Sequence, residues 1–256
     1  MSDPSVESIV NLLLQARRDH RLADAAKFSE TLTSSQQAYA VQEGVANALG
    51  WYGTEGAMHW KSGGPSRQVT LTHAPLPPAG VWASPAAAGA FGFTARGIEA
   101  EVALRLGQSV DATMSATIDE ASASKLIEAM TVSIEVVDSR WTGGMSAPAL
   151  LRLADLQSHG ALVLGEWTPW VPRDWARQSC RVFVGQQPVI ERQGTHSLGN
   201  PVWGLGAWLR HATQGGKVVA AGTVLTTGTW VGILNAAAGD RVIAEFDGIG
   251  TAEVQL

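Results

Sequence analysis

Glu99 and Glu101 stand two residues apart in the segment IEAEVALRL, and Glu135 lies in the apolar segment VSIEVVDS. Residues i and i+2 of a strand project from one face, so Glu99 and Glu101 would share it. Two like charges about 4 Å apart repel by roughly 4 kcal/mol at an effective dielectric near 20. A third acid raises the conflict, and either a proton on one carboxyl or a nearby cation relieves it. A divalent metal is such a cation. Three oxygen ligands leave half an octahedron for water and substrate, which suits Mg²⁺ or Mn²⁺. The spacing equally allows Glu99 and Glu101 on a solvated face, with Glu135 paired to an arginine such as Arg140. Lys61, in GAMHWKSGG, is one of only four lysines. A lysine in a Gly-rich turn can reach an anionic substrate, or carry a proton where desolvation lowers its pKa. An exposed loop lysine has the same local sequence.

The elements that must position these groups can be read from periodicity. Ser5 to Arg18 predicts a helix with Val6, Ile9, Val10, Leu13 and Leu14 on one stripe. Thr33 and Gln36 fit a capping box that opens a second helix, and Gly50 stops it. Trp51 to Ala90 is rich in Gly, Pro and Ala and predicts a loop-rich connection. Gly97 to Leu106 alternates as a strand, with Ile98, Ala100, Val102 and Leu104 opposite Glu99, Glu101 and Ala103. Asp119 to Met130 predicts a helix, and Thr131 to Asp138 a β-branched strand. Asn200-Pro201 opens a further helix that Gly215-Gly216 ends. Short strands are expected at 218–219, 223–227, 240–246 and 252–256, punctuated by glycines. The expectation is an α+β chain: a small N-terminal α/β region over 1–75, then a β-rich catalytic domain over 76–256.

Charged residues make up only 16 % of the 256, against a usual share of about 25 %. The 45 % hydrophobic content excludes a disordered chain. A net charge of −5 and the lack of any Lys/Arg run argue against nucleic acid. No apolar run approaches the ~20 residues of a membrane span, and acids precede the first apolar stretch, the wrong order for a secretory signal. The lone Cys180 excludes an intrachain disulfide. A cytoplasmic protein is expected. Ten of the seventeen aromatics are Trp, which points to core or oligomer interfaces. The chain has no G-x-S-x-G elbow, P-loop, H-E-x-x-H or strand-linked G-x-G-x-x-G.

The order of the pieces resembles the fumarylacetoacetate hydrolase superfamily, in its 2-keto-4-pentenoate hydratase and 4-oxalocrotonate decarboxylase branch. The matching stretches are HWKSGG around Lys61, IEAEVALRLG (98–107), SIEVVDSRW (133–141), SHGALVLG (158–165), GNPVWGLGAWL (199–209), VVAAGTVLTTGT (218–229) and the closing AAAGDRVIAEFDGIGTAEVQL. The resemblance implies a mixed β-roll C-terminal domain and homo-oligomers, with a complex with a related decarboxylase or hydratase as a further option. It implies that Glu99, Glu101 and Glu135 hold Mg²⁺ or Mn²⁺, that Lys61 is the active-site lysine, and that Ser158, Thr227 and Gly228 bind substrate. The implied substrate is a small anionic 2-oxo or 2-hydroxydienoic acid of aromatic catabolism, hydrated by a metal-dependent lyase. A decarboxylase of a 4-oxalocrotonate-like acid is the alternative, with Arg67 or Arg96 as the extra cation. An acylpyruvate C–C hydrolase would draw its base from His59, His73 or His159. Two elements depart from the branch. Pro77-Pro78-Ala79-Gly80 lacks the acid of P-D-x-G, and Asp155-Leu156-Gln157-Ser158 lacks the Asn of D-N-x-S. A catalytically impaired structural partner is the reading those departures add.

Overall fold

The long alternating segment around Glu99 forms the centre of the molecule. In the computed structural model, which describes residues 3–256, the helices are α1 (Pro4–Asp19), α2 (Ser35–Leu49), α3 (Ala112–Ala116), α4 (Glu120–Ser124), α5 (Ala149–Ala154) and α6 (Leu205–Ala212). The strands are β1 (His59–Gly63), β2 (Thr72–Pro75), β3 (Val81–Ala83), β4 (Ala86–Ala87), β5 (Gly97–Leu106), β6 (Ile127–Val137) and β7 (His159–Leu164). They continue as β8 (Thr168–Pro169), β9 (Ser179–Val184), β10 (Ile190–Gln193), β11 (Val224–Thr226), β12 (Leu234–Asn235), β13 (Arg241–Phe246) and β14 (Gly250–Gln255). One mixed sheet runs β2-β1-β11-β5-β6-β7-β3, with β12 on β5 and β8 on β6. A second runs β10-β9-β13-β14-β4.

Alternation decides which face of β5 is buried in what. Ile98, Ala100, Val102 and Leu104, with Val132, Ile134 and Val136 of β6, enter one apolar core with Val182, Val242, Ala244 and Val254 of the second sheet. The opposite face carries Glu99, Glu101 and Glu135. A smaller core joins Ile9 and Leu13 of α1, Val41 and Val45 of α2, and Trp141, Leu151 and Leu153. The helical hairpin thereby docks on α5, at the edge of the acidic face. Trp141, Trp208 and Trp230 are fully buried. Among the described residues, no helix is long and apolar enough to cross a membrane.

The structure departs from the periodicity in several places, and the strand expected at 218–219 is only an isolated bridge from Val219 to Val110. The helix expected over 119–130 is only α4, and β6 begins at Ile127. There Ile127, Ala129 and Met130 pair with the far end of β5. The ladder to a buried central strand outweighs the local helical pattern. The loop expected over 51–90 holds four short strands, and Lys61 sits on β1 rather than in a turn. The cap of α2 is Ser34, whose side chain accepts from the Gln37 N–H, one residue beyond the Thr33 start. The helix expected at Asn200-Pro201 starts at Leu205, because Asn200 Oδ1 closes a local turn on the Val202 N–H. The boundary expected at 75 and 76 falls at the end of β2, and the main sheet runs across it through β1 and β2.

Candidate metal centre

Strand pairing assembles the acids. In the antiparallel β5–β6 ladder, Glu99 lies directly opposite Glu135, and Glu101 opposite Ser133. One ligand oxygen from each of Glu99, Glu101 and Glu135 lies within 4.8 Å of the others. Strand β11 pairs with β5 on one side and β1 on the other, and Thr226 is the β11 partner of Lys61. Lys61 is thus carried to the acidic face, where its Nζ donates to Glu135 Oε1 at 2.5 Å and to the Gln157 carbonyl at 3.4 Å. The alternative pairing of Glu135 with Arg140 does not form. Arg140 donates to Asp155 Oδ1 at 2.6 Å instead.

Glu101 is nearly sealed and Glu135 wholly so. Burial, reinforced by the charges of Glu135 and Glu101, pushes the Glu99 carboxyl up to about 8. Burial and Glu135 likewise push Glu101 up to about 7, against hydrogen bonds from Thr226 and Gly228. Burial opposes the charge on Glu135 too, but Lys61 and His159 outweigh it and hold that carboxyl below its ordinary value. Desolvation works against the Lys61 ammonium, and Glu135 and Glu99 overcome it, so Lys61 is held cationic. Three carboxylates and one ammonium sum to −2 when all are ionised. Glu135 Oε2 is buried and has no hydrogen-bond partner. An orphaned buried oxygen beside two carboxylates that resist ionisation fits a hard divalent cation held by Glu99, Glu101 and Glu135.

Two backbone devices hold the edges of this cluster. Glu101 Oε2 accepts from the Thr226 hydroxyl and from the Gly228 N–H at 2.7 Å. Gly228 has φ of 107°, a region that L side chains rarely enter, so glycine lets the turn aim its N–H at the carboxylate. On the other side, Leu156, Gln157 and Ser158 are left-handed in succession, with φ of 53°, 56° and 59°. Such residues cost roughly 1–2 kcal/mol each. Buried Asp155 anchors the turn through Arg140 and Arg17, and its carbonyl accepts the Ser158 N–H. The turn presents the Gln157 carbonyl to Lys61 and delivers His159, whose Nδ1 lies 3.0 Å from Glu135 Oε1.

A cleft of about 550 Å³ opens on the cluster. Lys61, Glu99, Glu101 and Gly228 line it, and its far wall is apolar, built from Met145, Leu150, Leu153 and Ile233. Ser158 and Thr227 do not line it. Ser158 is fully buried with an unpartnered hydroxyl, and the Thr227 hydroxyl donates to the Val102 carbonyl. Their neighbours face the cleft instead: Gln157, whose Oε1 is buried and unpartnered, and Thr226. The positive φ at 156–158 decides which side chain points in, and nothing in Asp155-Leu156-Gln157-Ser158 announces that conformation. The strand alternation of VVAAGTVLTTGT left two adjacent threonines to choose from. Neither Arg67 nor Arg96 lines the cleft; Arg152 of α5 does. No histidine lines it.

Residues 55–256 match the family model described as fumarylacetoacetate (FAA) hydrolase C-terminal. No curated protein matches the sequence. Among solved structures, 4-oxalocrotonate decarboxylase from Pseudomonas putida G7 superposes with a TM-score of 0.82 at 16 % identity, covering 100 % of this chain and 98 % of that one. Those structures are complexes with calcium and acetate and with magnesium and adipate. The 2-hydroxyhepta-2,4-diene-1,7-dioate isomerase from Mycobacterium marinum aligns over 78 % of this chain and 74 % of its own, with a TM-score of 0.52 and 16 % identity. At these identities the likeness is one of fold: few helices and a curled mixed sheet.

Proposed function

The chain belongs to the fumarylacetoacetate hydrolase family, and on that premise we propose that it is a divalent-metal-dependent lyase acting on a small 2-oxo or 2-hydroxydienoic acid. The observation that carries this reading is the convergence of Glu99, Glu101 and Glu135 within 4.8 Å, with Glu99, Glu101 and Lys61 lining a cleft. A Mg²⁺ or Mn²⁺ ion bound there supplies a Lewis acid for charge that builds on the substrate's 2-oxygen. The residues do the rest. The Lys61 ammonium holds the substrate carboxylate or returns a proton to the adjoining carbon. The Gln157 amide, with its unpartnered Oε1, orients a substrate hydroxyl. The apolar wall of Met145, Leu150 and Ile233 excludes water from the hydrocarbon part of the substrate.

Hydration of 2-hydroxypenta-2,4-dienoate and decarboxylation of a 4-oxalocrotonate-like acid share the same build-up of charge. Arg152 favours the second. Its Nε donates to the Ala147 carbonyl, and among the described residues it has no acidic partner, so its guanidinium can meet a second carboxylate. The hydrolase reading loses the histidine base expected for it, because none of His59, His73 and His159 lines the cleft. The test is turnover of both acids, followed by ultraviolet absorbance, with Mg²⁺ and with EDTA. Turnover that needs Mg²⁺ and fails in Glu135→Gln supports the reading, and full activity in EDTA overturns it. Arg152→Met should raise KM for the dicarboxylic acid alone. An equal effect on both acids would remove the case for the decarboxylase.

A further inference from the structure

A second cavity, of about 390 Å³, lies where the end of α1 meets the approach to β3 and the start of β7. None of the residues lining it also lines the metal cleft. His159 connects the two. Its ring is buried, with Nδ1 on Glu135 and Nε2 unpartnered, and His159 lines the second cavity. Because Nδ1 faces a carboxylate, it carries the ring proton, and Nε2 presents a lone pair. A buried acceptor without a donor calls for an O–H or N–H at that point.

The rest of the cavity offers the opposite chemistry. Arg17, Arg21 and Arg140 line it. Arg17 Nη2 and Arg140 Nε share Asp155 Oδ1, and Arg17 Nε is buried without a partner. Asp138, the acid in the lining, accepts through Oδ1 from the Thr94 and Ala95 N–H groups and the Thr94 hydroxyl, and its Oδ2 lies 3.9 Å from Arg140 Nη1. Desolvation, with Arg140 beside it, lowers Arg17 to about 10 against the charges of Asp155 and Asp138; the guanidiniums of Arg17, Arg21 and Arg140 thus face two carboxylates. Between the donors and the lone pair the walls are apolar and aromatic: Trp51, on which Arg17 stacks with its Cζ 5.2 Å from the ring centre, and Phe91.

We propose that this cavity is a second small-molecule site, which takes a hydroxylated organic acid: carboxylate on Arg17 and Arg21, apolar body against Trp51 and Phe91, hydroxyl donating to His159 Nε2. Such a ligand would satisfy both orphaned atoms at once. It would also lie one imidazole ring away from Glu135, without entering the cleft.

The probe is 4-hydroxybenzoate, titrated calorimetrically into the full-length protein in EDTA, so that no metal draws the carboxylate to the cleft. Binding of one equivalent is expected, with benzoate and phenol each weaker by about tenfold, or ~1.4 kcal/mol. Arg17→Met and Arg21→Met should each weaken it, while Glu101→Gln leaves it unchanged. Arg21 is exposed, so Arg21→Met keeps the test open if Arg17→Met fails to fold. No heat at about 10 mM probe, enough to reveal a Kd of ~1 mM, would overturn the proposal. So would binding that is lost in Glu101→Gln and unmoved by Arg21→Met, since the probe would then occupy the cleft. Neither result bears on metal-dependent turnover, so this proposal and the lyase reading fail separately.

Discussion

Replacing Glu101 by Gln should make the metal-free protein more stable at pH 8. In the folded chain the Glu101 carboxyl titrates near 7, and its ordinary value is 4.5. Each unit of that difference costs about 1.4 kcal/mol when the group ionises, which gives roughly 3 kcal/mol at pH 8. The sign follows from proton counting. Between 4.5 and 7 the folded chain binds more protons than the unfolded one, so stability falls as pH rises through this window. Glutamine keeps the shape, and its carbonyl oxygen can still accept from Thr226 and Gly228, while the charge beside Glu135 and Glu99 is gone. Allowing about 1 kcal/mol for an imperfectly bonded amide, a net gain near 2 kcal/mol remains. For a chain of this size that is a rise in Tm of about 4–8 °C. Below the ordinary carboxyl range the ionisation cost is absent from both states, and the variant should fall below the wild type by about the 1 kcal/mol allowed for the amide. With Mg²⁺ the order reverses, because a ligand at 100 times its Kd adds about 2.7 kcal/mol to the wild type and little to the variant. Calorimetric melting in EDTA and in Mg²⁺, from pH 4 to pH 9, reads all of these. A variant less stable than wild type in EDTA at pH 8, or one with an undiminished Mg²⁺ shift, would refute the argument.

Three further outcomes follow from the same site. Lys61→Met should abolish turnover and lower the melting temperature of the metal-free protein, since it strands the buried Glu135 charge at a cost of about 3–5 kcal/mol; unchanged melting would mean that the ion pair does not form in solution. Gly228→Ala should destabilise by more than 1 kcal/mol, about the gain a compatible Gly→Ala change brings, and weaken Mg²⁺ binding, because φ of 107° and the N–H on Glu101 cannot both be kept; equal Mg²⁺ affinity in titration calorimetry would count against the role of the turn. Mg²⁺ affinity should rise from pH 6 to pH 8, since Glu101 near 7 and Glu99 near 8 must release protons to bind, and proton uptake on Mg²⁺ binding would contradict it.

The chemistry-bearing residues were legible because the chain carries so few charges: acids inside the apolar stretches of β5 and β6 stand out against 16 % charged residues. Alternation set Glu99 and Glu101 on one face, and it is a property of any strand. What alternation cannot supply is the partner across the ladder. The register that sets Glu99 against Glu135, and the parallel pairing that brings Lys61 beside Thr226, join residues far apart in the chain. Lys61 looked like a turn residue because its glycines are local, whereas its strand exists only through β11 and β2.

Local pattern by itself determined the acids and their shared face, the one unusual lysine, the β-rich core and the helical hairpin before it. Tertiary structure decided that Gln157 and Thr226 face the cleft in place of Ser158 and Thr227, that Arg152 joins Lys61 in lining it, and that His159 contacts Glu135 while lining a second cavity. For Gln157, Ser158 and His159 the physical reason lies in the left-handed turn at 156–158. No local preference stabilises three such residues in a row, and the buried Asp155, gripped by arginines from α1 and from residue 140, holds them there.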